Sequence, residues 1–84
     1  MMDVTIYTTR FCPYCVRAKA LLDSKNVSYV EIAVDTDQEQ RRIMEQRSRQ
    51  TSVPQIFIGD QHIGGCDDLH ALEAEGALDA KLAG

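Results

Sequence analysis

Cys12 and Cys15 stand three residues apart with Pro13 and Tyr14 between them. Two thiols at that spacing can hold a metal, close a permanent disulfide, or pass electrons. A closed zinc site needs four ligands, and two Cys-x-x-Cys pairs would be its strong signal. This chain has one pair, a distant Cys66 and two scattered histidines, His62 and His70, so no metal site is expected. A structural disulfide across so small a loop removes little entropy from the unfolded chain, and a reducing compartment would open it. The redox reading has a mechanism. Pro13 suits the first position of a helix. That places Cys12 at the helix amino end, where unpaired N–H groups and the helix dipole favour an anion. The thiolate is the nucleophile in disulfide exchange. Cys15, one turn further, lies on the same face and can attack a mixed disulfide formed on Cys12. Arg10 and Arg17 add positive charge nearby. Cys12 is the candidate nucleophile and Cys15 the resolving thiol. Neither histidine is given a catalytic role, because a preformed thiolate needs no histidine base.

The elements that must position this pair follow from periodicity. Asp3 to Thr8 alternates, with Val4 and Ile6 on one face, and reads as a strand. Cys15, Ala18 and Leu22 recur at helical spacing, which predicts a helix from about Pro13 to Lys25. Ser28 to Val34 alternates again, with Val30, Ile32 and Val34 sharing a face. Asp35 to Asp37 offers N-cap side chains for a charged helix over Gln38 to Gln50, anchored by Ile43 and Met44. Pro54 precedes a strand at Gln55 to Ile58. Gly59-Asp60 turns the chain into a short fourth strand, Gln61 to Ile63. Gly64-Gly65 ends it, Asp67 or Asp68 can cap a last helix, and Leu78 and Leu82 continue an apolar stripe beyond Gly76. The order β-α-β-α-β-β-α predicts an α/β architecture. A parallel first pair with a right-handed crossover and an antiparallel hairpin form one mixed four-stranded sheet, with helices on its faces.

At 84 residues the chain makes a single domain, 1–84. It is 44% hydrophobic and 26% charged, an ordinary globular composition. A net charge of −4 disfavours nucleic acid and anionic membranes as partners. No apolar run reaches the length of a membrane span, and the start MMDVTIY lacks the pattern of a signal peptide. An odd cysteine count is a poor disulfide framework, so a reducing, cytoplasmic setting is expected; the sequence does not fix the oligomeric state, and a monomer is the default.

The whole chain resembles a glutaredoxin. The resemblance rests on Cys12-Pro13-Tyr14-Cys15, Ser52-Val53-Pro54, Gly64-Gly65 and Cys66-Asp67-Asp68, in that order, and spans essentially all of the chain. The run VPQIFIGDQHIGGCDDL looks close to the small bacterial dithiol type. The resemblance implies a thioredoxin fold and glutathione as reductant and co-substrate, with no permanently bound cofactor. It also implies reduction of protein–glutathione mixed disulfides and protein disulfides, with ribonucleotide reductase and sulfate-reduction enzymes among the family's substrates.

Site residues follow from the same resemblance. Val53, before a cis Pro54, would offer its backbone to the glutathione cysteine as a strand edge does. Taken alone, a Val-Pro pair is a plain strand-start proline. The N–H groups of Cys66 and Asp67 suit the γ-glutamyl carboxylate, and the Asp67 side chain suits its ammonium. Gly64 and Gly65 would let the backbone come close to the ligand. Tyr14 would flank the groove, and Ser52 stands where threonine is more usual. Thr9 departs from a lysine common in dithiol members, leaving Arg10, Arg47 or Arg49 to meet the glycyl carboxylate. Arg49 lies where a glycine is common. Cys66 reads as a small buried residue, with secondary glutathionylation or dimer formation as the sharper alternative. Two rival functions are a redoxin fed by thioredoxin reductase, which the GGCDD segment disfavours, and an iron–sulfur cluster carrier, which Pro13 and Cys15 disfavour.

Overall fold

In the computed structural model, which describes residues 2–84, the first alternation becomes β1 (Val4–Thr8). It runs parallel to β2 (Tyr29–Ala33) and antiparallel to β3 (Gln55–Ile58), and β3 pairs antiparallel with β4 (Gln61–Gly64). The sheet order is β2-β1-β3-β4, so β1 and β3 are central. Around it lie α1 (Pro13–Ser24), α2 (Gln38–Ser48), α3 (Cys66–Ala74) and α4 (Leu78–Ala83). This is the four-stranded mixed sheet of the thioredoxin fold. The apolar stripe after Gly76 is a separate fourth helix, because Gly76 takes φ +74 and breaks the helical path.

Period-two alternation sends each central strand's side chains to two different cores. Val4, Ile6, Ile56 and Ile58 pack with Ala18 and Leu22 of α1, Cys66 and Leu69 of α3, and Leu78 and Leu82 of α4. On the other face, Tyr7, Phe57 and Val34 pack with Met44 of α2. Met44 is fully buried, whereas Ile43, its expected partner in anchoring α2, is only half-buried. α2 gains a second hold through Arg47. Its guanidinium lies 3.9 Å from the Phe57 ring centroid and donates 2.9 Å to the Tyr7 hydroxyl. Lys25 ties the end of α1 to the far helices, at 2.7 Å from Glu73 and 3.0 Å from Asp79.

Three expectations shift. Val30 is 60% exposed rather than sharing a buried face with Val34. Ile32 and Val34 on the same face do pack in the α2 cluster, but β2 is an edge strand and that cover does not reach Val30. The second helix stops at Ser48, not Gln50. Arg49 adopts φ 60, ψ 25, and its N–H closes on the Glu45 carbonyl at 2.8 Å. The third helix begins at Cys66 with Gly65 as its N-cap, two or three residues earlier than capping by Asp67 or Asp68 would put it.

Two substitutions of opposite sign test this account. Met44→Ala should destabilise by about 2–5 kcal/mol, the cost of emptying a buried methionine site. Arg49→Gly should stabilise by about 0.5–1 kcal/mol, because glycine carries no left-handed penalty. Urea denaturation measures both, and a near-neutral Met44→Ala would contradict its role as the anchor of α2.

Candidate active site

The loop from β1 to α1 is fixed before the thiols are reached. Both the backbone N–H and the Nε of Arg10 donate to Asp35 Oδ2 at 3.1 Å, joining this loop to the segment after β2. The Arg10 backbone N–H and guanidinium hold the Asp35 carboxyl below its usual value. Arg10 is therefore already paired, as is Arg47 on Tyr7 and Phe57.

Cys12 is the N-cap of α1, with extended backbone at φ −136 and ψ 97. Its sulfur accepts the Cys15 N–H at 3.1 Å, the position usually filled by a serine or aspartate oxygen. Cys12 and Cys15 form a disulfide, with their Cα atoms 5.2 Å apart. The two sulfurs differ in access: Cys12 is half-buried and Cys15 is buried beneath it. Opening the disulfide leaves the Cys12 sulfur aimed at the unpaired N–H groups of a helix start, a field that favours the thiolate.

Val53 O lies 4.0 Å from Cys12 Sγ, and the Val53–Pro54 peptide is cis. Beside this contact is a groove of about 210 Å³ lined by Tyr14, Gln50, Ser52, Val53, Pro54, Gly65, Cys66, Asp67 and Asp68. Of the residues named above for ligand contact, Tyr14, Ser52, Val53, Pro54, Gly65, Cys66 and Asp67 meet along it, whereas Gly64, Arg10, Arg47 and Arg49 are not among its lining. A larger hollow of about 580 Å³ between Val34 and α2 has no thiol in its lining.

The far wall is the start of α3. Asp68 accepts the Gly65 N–H at 3.0 Å and so reaches back to cap the helix. Asp67 is exposed and makes no such bond, leaving its carboxylate free toward the groove. The N–H groups of Cys66 and Asp67, in the first turn, have no intrahelical acceptor. Gly64 is required at the preceding turn. It adopts φ +117, and a Cβ there would collide with the Asp68 carboxylate. Gly65 is required less strictly, since a Cβ would sit 3.5 Å from Pro54 O. Cys66 is free and buried, and burial pushes its thiol above the ordinary value, with Arg17 opposing and Asp67 adding to the shift. Among the described residues, no three His, Cys, Asp or Glu side chains gather to hold a metal.

Sequence reasoning passed over Gln50, which has no periodic signal, and treated Gln55 and His62 as strand residues only. Gln55 carries one legible mark: it is a polar residue opening an otherwise apolar strand, and it is 1% exposed.

The fold and the paired thiols at a helix start define a thiol–disulfide oxidoreductase. The glutaredoxin family profile matches residues 4–63. The chain is 58% identical over 82 residues to glutaredoxin 3 of Escherichia coli strain K12, covering 98% of this chain and 99% of that one. It is similar to the solution structure of glutaredoxin from Brucella melitensis, at 52% identity and a TM-score of 0.85, covering 100% of this chain and 94% of that one. It is also similar to the crystal structure of a buckwheat glutaredoxin–glutathione complex, at 31% identity and a TM-score of 0.88, covering 95% and 76%. The chain belongs to the glutaredoxin family.

Access and ionisation predict the order of thiol reactivity. After reduction, brief iodoacetamide treatment at neutral pH should label Cys12 first and leave Cys15 and Cys66 largely unmodified by peptide mass mapping. Equal labelling of Cys66 would contradict its burial and its raised thiol value.

Proposed function

We propose that this protein is a dithiol glutaredoxin that uses glutathione to reduce protein–glutathione mixed disulfides and protein disulfides. The observation that carries the reading is the groove beside Cys12, with Val53 O 4.0 Å from the Cys12 sulfur. The buckwheat relative, whose crystal structure is a glutathione complex, supports the same ligand.

In this reading the glutathione cysteine lies along Val53 and pairs with its backbone as an added strand would. The γ-glutamyl carboxylate takes the N–H groups of Cys66 and Asp67, and its ammonium takes the Asp67 carboxylate. Asp68 supplies the cap, so binding and capping use different carboxylates. Tyr14 is 55% exposed and walls the groove near Cys12.

The Cys12 thiolate attacks the glutathione sulfur of the mixed disulfide. The protein thiolate leaves and takes up a proton, and Cys12 holds the glutathione. A second glutathione thiolate attacks that glutathione sulfur, releasing glutathione disulfide and the Cys12 thiolate. With a protein disulfide, Cys12 forms a mixed disulfide with the partner. Cys15 then displaces the partner thiol, and two glutathiones reduce the resulting Cys12–Cys15 disulfide. The substrates are glutathionylated and disulfide-bearing proteins of a reducing compartment, the cytoplasm, and the working unit is the monomer.

Turnover of a small glutathione mixed disulfide tests this with two reductant systems, glutathione plus glutathione reductase and thioredoxin reductase. Activity should appear in the glutathione arm, vanish in Cys12→Ser and largely persist in Cys15→Ser. Asp67→Ala should raise KM roughly threefold, in line with one exposed ionic contact. Activity only with thioredoxin reductase, needing both cysteines, would replace the glutathione reading with the redoxin one.

A further inference from the structure

Gln55 lies on the α2 face of β3 and is almost completely enclosed, so each of its polar atoms needs a partner. All of them have one. Its Nε2 donates to Gln50 Oε1 and to the Ser52 carbonyl, both at 3.0 Å, with Ser52 Oγ at 3.4 Å. Its Oε1 lies 2.7 Å from His62 Nε2. The Ser52 carbonyl can only accept, so the Gln55 amide has one sensible orientation. Oε1 must then be an acceptor, and His62 Nε2 must carry the proton that it donates. The His62 ring is held in place by Phe57, with centroids 4.9 Å apart and planes tilted by 33°.

The line of donors runs His62 to Gln55 to Gln50. With its oxygen taken by Gln55, Gln50 has its own NH₂ group free, and Gln50 lines the groove beside Cys12. The other branch holds the carbonyl of Ser52, the residue before Val53. Residues 49–54 lie outside any helix or strand, and Gln50, Thr51 and Ser52 are exposed. Buried Ser48 holds the Gln50 backbone, with its hydroxyl taking the Gln50 N–H and donating to the Gln50 carbonyl, both at 3.1 Å, so the Gln55 amide acts on the Gln50 side chain and on Ser52. Arg41 donates to the Thr51 carbonyl at 3.2 Å from its outer side.

We propose that His62 and Gln55 are positioning residues for the thiol exchange. They orient the Gln50 NH₂ donors toward an anionic group of the bound thiol, and they set the Ser52–Val53 backbone against Cys12. The inference rests on the glutathione reading above. It assigns a neutral amide donor to the groove in a chain where Arg10 and Arg47 are engaged elsewhere. Since neither positioning residue touches the sulfurs, they act on ligand binding rather than on the nucleophile.

The test separates these effects. His62→Phe keeps an aromatic ring against Phe57 and removes the donor. Gln55→Met keeps the bulk and removes both hydrogen-bonding ends. Gln50→Ala removes the groove end and leaves the core untouched. Each should raise KM for a glutathione mixed disulfide about tenfold, the loss of one hydrogen bond to a charged group, with kcat within a factor of about two. The rate of Cys12 alkylation by iodoacetamide should stay at the wild-type value in all three, because it reports the thiolate without the groove. Gln50→Ala should add less in the Gln55→Met background than alone, since the second change has already released that amide. Thermal melts verify that each variant is folded. Folded variants with wild-type KM, or variants whose alkylation rate falls in step with kcat/KM, would overturn the positioning role. Wild-type protein with no glutathione-dependent turnover would bring down the glutathione reading, and this inference with it.

Discussion

A helix begins at the Cys12 sulfur, and its unpaired N–H groups are a field that favours an anion there once the disulfide is opened. Cys12 acts as the N-cap of α1, taking the Cys15 N–H on its sulfur. The arrangement works only if the helix start stays at the end of β1 and near Val53. Much of the structure serves that requirement. β1 is a central strand with Val4, Ile6 and Tyr7 buried. α1 is pressed to the sheet by Ala18 and Leu22, while the Arg10 loop is pinned by Asp35. Cys15 is buried on the same helix, so the second sulfur is in reach of the first while shielded from outside thiols.

The two faces of the sheet divide the work. One face is an apolar cluster with α1, α3 and α4, and it places two helix starts, at Cys12 and at Cys66, on either side of Val53 and Pro54. Two anion-favouring helix ends therefore border one groove. The other face carries the polar line from His62 through Gln55, which reaches the groove-lining residues Gln50 and Ser52. Burying a glutamine there is tolerable because every polar atom is satisfied, and the same saturation gives the segment one arrangement instead of several.

Local backbone choices near the site have different physical weight. Gly64 is forced by a positive φ and by the Asp68 carboxylate. Arg49 adopts a left-handed conformation that glycine would take more readily, and it lies one residue before Gln50. Stability and groove chemistry thus meet in the short turn between α2 and β3. A change at Arg49 that relaxes the backbone also acts beside Gln50, which lines the groove.

Strand and helix identities were legible because alternation of period two and recurrence at helical spacing are properties of neighbouring residues. Val4 and Ile6, or Cys15, Ala18 and Leu22, declare their face within a few positions. The redox character of Cys12 and Cys15 was legible for the same reason, since one helical turn brings both sulfurs together. The motifs from Ser52 to Pro54 and from Gly64 to Asp68 carried the family resemblance. Element ends were less legible: the left-handed turn at Arg49 and the reach of Asp68 back to Gly65 depend on backbone geometry that composition does not encode. What only the tertiary structure decided is which distant groups meet. Val53 faces a sulfur 41 residues earlier, Arg10 is claimed by Asp35, Asp68 caps while Asp67 stays free, and Gln55 joins His62 to Gln50. These contacts follow from sheet register and from the few rotamers that packing allows, and neither leaves a period in the chain.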